Sequence, residues 1–150
     1  MGKLDLIQYK RALDFSYNFY RHKYRKGIKF PYFNYLSSVS NLIIENNGNT
    51  DEAIAALIHD YFELEDINKK SNFIKKKFGV KVFNIVKQCS DYEDLDNQND
   101  QWLEKKKEYL ETIQKKSQSS LFVILCDKVH SVSCMINDHN KIGKKLWKNH

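Results

Sequence analysis

Ala53-Ile54-Ala55-Ala56-Leu57-Ile58-His59-Asp60 is an apolar stretch that ends in a histidine and an aspartate. A second apolar run, Leu121 to Cys126, is followed directly by Asp127. Hydrophobic residues packed this densely predict two buried helices, and the alanines of the first allow another helix to approach it closely. A carboxylate carried by a buried helix needs a cation or strong hydrogen bonds. The two stretches therefore predict buried carboxylates that are compensated by a cation or by strong hydrogen bonds.

The composition fits one globular domain over residues 1–150. Hydrophobic residues make up 41% of the chain and aromatic residues 13%, which is enough for a sizeable core. The longest apolar run has six residues, Leu121–Cys126, against the ~20 that a membrane-spanning helix needs. The N-terminus has no apolar segment of the signal-peptide kind, and the three cysteines have no metal-binding spacing. We expect a cytoplasmic protein that does not insert into a membrane.

Hydrophobic periodicity predicts an all-α fold. Thr50 is the expected N-cap of the third helix, and Ala53 three residues later predicts that no capping box forms there. Val80 to Val86 is rich in β-branched residues, as in a strand, but its spacing also fits a helix, and we interpret it as helical. The predicted helices cover residues 3–22, 32–46, 51–61, 68–77, 80–86, 102–116 and 117–135, with loops at 21–30 and 91–101.

One histidine and two aspartates on adjacent buried helices would form a compact set of hard oxygens and one imidazole. His59, Asp60 and Asp127 are these residues. Such a ligand set suits Mn²⁺, Mg²⁺ or Fe²⁺ better than metals that prefer thiolates. Alternatively, Lys128 or Arg25 neutralises Asp127, and His59 is an ordinary core histidine. The residues alone leave both interpretations open.

The charge balance indicates little about partners. The chain has 25 Lys and Arg against 19 Asp and Glu, a formal charge of +6. Its lysine clusters are scattered over helical patterns, which is typical of solvated helix faces. The excess charge slightly favours an anionic substrate and does not point to nucleic acid as the partner. Binding through the basic surface would show strongly salt-dependent affinity for any duplex.

Four separately placed segments resemble one family. Ala55 to Glu63 resembles the central segment of HD-domain phosphohydrolases. The other three are similar to the RelA/SpoT-type hydrolase branch, which acts on guanosine 3′-diphosphates. They are Arg25-Lys26-Gly27 followed by Phe30-Pro31-Tyr32, Phe78-Gly79-x-x-Val82 followed by Ile85-Val86, and Leu125-Cys126-Asp127-Lys128-Val129-His130. The resemblance covers about residues 10–135 in the family's order.

The resemblance implies an HD-domain helical bundle around one divalent ion, most often Mn²⁺, and a phosphorylated nucleotide as substrate. It assigns the metal to His59, Asp60 and Asp127 and the catalytic carboxylate to Glu63. It assigns the substrate's phosphates to the loop residues Arg25 and Lys26, with Lys128 supporting the site.

The chain departs from that family at three site positions. Tyr35 lies where the family has its first metal-ligating histidine, Leu64 where it has a second acidic residue, and Ser131 where it has an asparagine. The chain is also shorter than the family at its C-terminus. A neutral phenol is a poor ligand, so we expect a metal ion that is weakly bound or absent.

Two hypotheses about function follow. The protein is a hydrolase of a nucleotide pyrophosphate with a weakened metal site, or it is a degenerate HD domain that binds a phosphorylated ligand or a protein without turnover. The sequence does not determine the oligomeric state.

Overall fold

The computed structural model describes residues 4–25, 28–90, 107 and 110–148. Every regular element in these ranges is helical, which confirms the all-α prediction, and extended pairing is confined to a single bridge between Tyr24 and Pro31. The helices are α1 Leu6–Tyr20, α2 Tyr32–Glu45, α3 Thr50–Ile58, α4 Tyr61–Leu64, α5 Ile67–Phe78, α6 Val80–Cys89 and α7 Gln118–Ile142, followed by a 3₁₀ helix at Gly143–Lys148.

Helix α3 is the centre of the bundle. Its residues 53–58 are all buried, and α1, α2, α6 and α7 pack around it. Two serine hydroxyls donate to its backbone carbonyls: Ser16 of α1 to Leu57 at 2.7 Å, and Ser40 of α2 to Ala53 at 2.8 Å. Small side chains and these short bonds bring three helices close together. The apolar stretch that ends in His59 is therefore fixed on several sides.

The limits of α3 differ from the predicted ones. Its N-cap is Asn49, whose side chain accepts from the backbone N–H of Glu52 while the Glu52 carboxylate accepts from the Asn49 N–H. The predictions of Thr50 as N-cap and of no capping box were wrong, because the helix begins at Thr50 itself. The helix also ends at Ile58 instead of continuing to residue 61, and a turn carries His59 and Asp60 into α4.

Helix α6 confirms the helical interpretation of a segment that also had strand character. The side chains of Val82, Phe83, Ile85 and Val86 are buried on one face of it. Gly79 separates α5 from α6 with a φ of 94°, a conformation that side chains disfavour. The two helices therefore meet at a tight corner, and α6 packs against α3 and α4.

Helix α7 is longer and more exposed than predicted. It continues to Ile142, and Leu125, Val129, Val132 and Ile136 are exposed along one face. The expectation of a helix buried all round was wrong, because only the opposite face packs on the core. Within the described ranges, Gln118–Trp147 alone is long and apolar enough to cross a membrane by length and composition, a test that core helices of soluble proteins also pass.

Two predictions concern a part of the chain that is largely outside the described residues. They are the acidic loop at 91–101 and most of the amphipathic helix at 102–116. Residues 110–113, at the end of that second segment, are helical.

Candidate metal and substrate site

The three predicted metal ligands converge from two elements. His59 and Asp60 lie in the turn after α3, and Asp127 lies in the middle of α7. The imidazole Nε2 of His59 is 3.3 Å from a carboxylate oxygen of Asp60 and 3.5 Å from one of Asp127. All three residues are buried. The close packing of α3 against α7 is what brings the two acidic groups to the same imidazole.

The orientation of His59 is set by its own helix. Nδ1 lies 2.8 Å from the backbone carbonyl of Ala56. Because a carbonyl can only accept, this nitrogen carries the proton and donates. The other ring nitrogen, Nε2, is therefore directed at the carboxylates, and it is buried without a hydrogen-bond partner. It is therefore the nitrogen through which His59 could hold a metal ion, with the two carboxylates beside it.

Charge coupling holds this cluster together. Burial lowers the pKa of His59, but the carboxylates of Asp60 and Asp127 oppose it and raise the pKa to about 9. Burial raises the pKa of Asp127, yet the adjacent charge of His59, with that of Lys128, holds it well below its usual range. Without a metal ion, the two carboxylates therefore favour the protonated form of His59.

Two tyrosine hydroxyls donate hydrogen bonds to the carboxylates of this cluster. Tyr35 donates to Asp127, and Tyr32 donates to Asp60 at 2.5 Å. Burial, together with these neighbouring carboxylates, raises the pKa of both phenols far above the usual value. Both phenols are therefore neutral donors. Tyr35 does not supply the lone pair that a histidine would supply at this position.

Lys128 and Arg25 have different partners. The ammonium of Lys128 lies 3.0 Å from Asp127, so this part of the neutralisation hypothesis agrees with the geometry. The guanidinium of Arg25 instead lies 3.2 Å from Asp138 near the end of α7, and both side chains are buried. The aromatic faces of Phe30 and Tyr35 cover Arg25 as well. Arg25 therefore links the α1–α2 loop to α7.

An open cavity of about 340 Å³ lies next to the cluster. Glu63 and Leu64 approach it from α4, and Asp60 is shared between the cavity and the cluster. Its other described lining residues are Lys23, Tyr24 and Tyr32. The cavity gives a ligand access to the carboxylate of Asp60.

The donor set fits a hard divalent ion, although the described side chains do not already enclose one. Among them, no group of three or more His, Cys, Asp or Glu is arranged to hold a metal. The imidazole and carboxylates contact each other directly, and Tyr32 and Tyr35 each occupy one carboxylate. One nitrogen with carboxylate oxygens is nevertheless a ligand set that suits Mn²⁺, Mg²⁺ or Fe²⁺.

A family model described as the HD domain matches residues 12–147. The chain belongs to the HD domain family. This match confirms the HD-domain bundle that the four sequence segments predicted.

This HD domain is similar to two described proteins. It is 32% identical over 124 residues to the guanosine-3′,5′-bis(diphosphate) 3′-pyrophosphohydrolase of Xenopus tropicalis, covering 81% of this chain and 65% of that protein. The chain thus spans just under two thirds of that relative's length. A solved structure, described as a metazoan ortholog of SpoT that hydrolyzes ppGpp and plays a role in starvation responses, aligns with a TM-score of 0.76. It is 23% identical, over 90% of this chain and 74% of the other, and shows that the two share a fold.

The other predicted site residues are Ser131, Lys26 and Glu63, and the structure describes two of them. Ser131, on α7, lies near the hydroxyl of Tyr35. Lys26 lies outside the described residues. Glu63 lies on α4, whose N-cap is Asp60, and its N–H donates to the Asp60 carbonyl at 3.2 Å. It therefore lines the cavity one turn after that aspartate.

Sequence reasoning gave no site role to Lys23 or Asp138, and it named Tyr32 only as part of the Phe30-Pro31-Tyr32 segment. Tyr32 follows the proline that precedes α2, and this position was the available signal for it. Lys23 appears in the sequence as one basic residue among several. Asp138 shows no signal, because its partner Arg25 is 113 residues away.

Proposed function

We propose that this HD domain is a metal-dependent phosphohydrolase that removes the 3′-diphosphate from guanosine 3′,5′-bis(diphosphate). The observation that carries the proposal is the buried, unpartnered Nε2 of His59, directed at the carboxylates of Asp60 and Asp127. The relative from Xenopus tropicalis, named for this reaction, supports the substrate. A phosphorylated nucleotide in the cytoplasm is accordingly the partner that we propose.

His59, Asp60 and Asp127 would hold the ion, which we propose to be Mn²⁺, with Mg²⁺ or Fe²⁺ as the alternatives. Such an ion, when bound, lowers the pKa of water and polarises a phosphoryl oxygen. Tyr32 and Tyr35 hold the carboxylates in place through their hydroxyl groups. Because Tyr35 replaces an imidazole, we propose that the ion binds more weakly than in a site with two histidines.

Glu63 is the carboxylate that we propose acts on water. It lines the cavity beside Asp60, where it can accept the proton of an attacking water molecule. The water oxygen then bonds to phosphorus, and the bond from phosphorus to the ribose 3′-oxygen breaks. The 3′-oxygen takes up a proton from solvent, and pyrophosphate is released. Lys128, 3.0 Å from Asp127, supports the site by offsetting the charge of that carboxylate.

The test is release of pyrophosphate from guanosine 3′,5′-bis(diphosphate) by metal-stripped protein, with and without added Mn²⁺. We expect Mn²⁺-dependent release that Asp127→Asn abolishes. Asp14→Asn, which changes an exposed carboxylate on α1, is the matched control and should keep full activity. Calorimetric Mn²⁺ binding measured on the same proteins separates loss of the ion from loss of chemistry. Mn²⁺ binding without pyrophosphate release would contradict the proposal and favour the degenerate HD domain.

A further inference from the structure

Part of the cavity lining has no task in the chemistry proposed above. Asp60 and Glu63 have proposed roles in the reaction, and Tyr32 holds Asp60, while Lys23, Tyr24 and Leu64 have none. The volume of about 340 Å³ lies within the range of small-molecule pockets. There is thus room beside the metal cluster for more of the ligand than the reacting phosphate.

We call Lys23, Tyr24 and Leu64 the rim of the cavity. Backbone hydrogen bonds fix the positions of Lys23 and Tyr24. Tyr24 forms an antiparallel bridge with Pro31. The N–H of Tyr32 donates to the carbonyl of Lys23 at 2.9 Å, and the N–H of Arg25 donates to the carbonyl of Phe30 at 3.0 Å. These bonds attach this part of the rim to the start of α2. Lys23 and Tyr24 are therefore held next to Tyr32, which itself bonds to Asp60.

The rim presents two apolar surfaces and one cation. Tyr24 is 60% exposed and Leu64 is 49% exposed, although both line a cavity. They come from different segments, and the exposed surface of each is open to a ligand in that cavity. Exposed aromatic rings of this kind bind nucleobases by stacking. Lys23, the one cation among the described lining residues, lies with its ammonium 5.9 Å from the ring centre of Phe19.

We propose that Tyr24 and Leu64 hold the nucleobase of the substrate and that Lys23 binds a phosphate that is not cleaved. This inference rests on the proposed function and names the specificity-determining residues of the same site. It also assigns to Lys23 a task that the resemblance gave to Arg25, whose guanidinium is buried against Asp138. The ligand class is a purine nucleoside diphosphate.

The experiment measures binding without turnover. Guanosine 5′-diphosphate, the nucleotide that remains after 3′-pyrophosphate release, is titrated into the full chain by calorimetry. Inorganic pyrophosphate serves as the probe without a base. We expect Tyr24→Ala to weaken guanosine 5′-diphosphate binding roughly fivefold or more, and Tyr24→Phe to retain it, because stacking needs the ring and not the hydroxyl. Pyrophosphate binding should not change in either variant.

Lys23→Met should weaken binding of both probes, and the loss should shrink as salt is added. The matched controls are Tyr17→Ala, an exposed tyrosine of α1, and Lys81→Met, an exposed lysine of α6; neither residue lines the cavity. Equal affinities of Tyr24→Ala and Tyr17→Ala for guanosine 5′-diphosphate would overturn the inference. Absence of nucleotide binding by the unaltered chain would overturn it as well. Failure of the proposed function gives a different pattern, with Tyr24-dependent nucleotide binding but no release of pyrophosphate.

Discussion

The hydroxyl of Tyr35 donates a hydrogen bond to the carboxylate of Asp127, and this bond joins α2 to α7 directly beside His59. At the position where the family resemblance predicts a metal-ligating imidazole, this chain has a donor. Burial and the charge of Asp127 raise the pKa of the phenol, so it stays neutral at physiological pH. One carboxylate oxygen of Asp127 is thereby satisfied by protein instead of being free for an ion.

Replacing this phenol by an imidazole tests that relationship. Tyr35→His provides a lone pair and removes the hydroxyl that occupies Asp127. We expect Mn²⁺ affinity, measured by calorimetry on metal-stripped protein, to rise by more than about tenfold, since changes to the partners of metal ligands alone alter affinity by ~10–100-fold. Tyr35→Phe is the control, because it removes the hydroxyl without adding a ligand. Equal Mn²⁺ affinity of the His and Phe variants would show that position 35 does not reach the ion.

The raised pKa of His59 predicts a pH-dependent contribution to stability in metal-free protein. The pKa rises from an unfolded value near 6.5 to about 9 in the folded protein, so protonated His59 stabilises the fold. This contribution is complete below the unfolded pKa and is lost as pH rises through about 9. We expect His59→Gln to reduce the free energy of unfolding most at about pH 6, by on the order of 3 kcal/mol.

The measurement is urea denaturation of both proteins in chelator from about pH 6 to about pH 10. Comparing the two proteins cancels the titration of lysines and tyrosines elsewhere. A difference in unfolding free energy that stays constant across this range would mean that His59 is not coupled to the two carboxylates.

Hydrophobic spacing predicted most helices, because each buries one continuous face. The segment Val80–Val86 shows why propensity alone was insufficient: its β-branched residues favour a strand, but the buried positions Val82, Phe83, Ile85 and Val86 follow helical spacing. The boundary of α3 was missed because the Asn49–Glu52 capping box depends on side-chain bonds that start one residue before the predicted cap.

The candidate site also has residues that the sequence predicted and contacts that it did not. His59, Asp60 and Asp127 were predictable, since each follows an apolar run and a buried charge needs compensation. The ion pair of Arg25 with Asp138 was not, because its two residues are distant in sequence and neither interrupts an apolar run. Sequence therefore indicated which residues are costly to bury, but not which partner each of them has.

Glycine is required at position 48 because Ile43 approaches it closely, and not because of an unusual backbone angle. Its N–H donates to the carbonyl of Ile43 at 2.8 Å. A methyl group on Gly48 would clash with the Ile43 side chain and lie 2.8 Å from the Ile43 carbonyl oxygen. We expect Gly48→Ala to lower the free energy of unfolding by about 1–3 kcal/mol, as overpacking does. Asn84→Ala, at an exposed position of α6, should change it little in the same urea titration; a Gly48→Ala protein of unchanged stability would contradict this explanation.

The buried ion pair between Arg25 and Asp138 predicts that Arg25 acts mainly on stability. Removing one partner leaves an uncompensated buried charge, so Arg25→Met should cost about 3–5 kcal/mol of unfolding free energy. Replacing both partners, in Arg25→Met with Asp138→Leu, should restore most of that loss, because no charge then remains buried. A double-mutant cycle by urea denaturation measures the coupling directly. The opposite result would be an Arg25→Met protein of unchanged stability that binds guanosine 5′-diphosphate more weakly. Arg25 would then bind phosphate, as the family resemblance implied, and Lys23 would not have taken over that role.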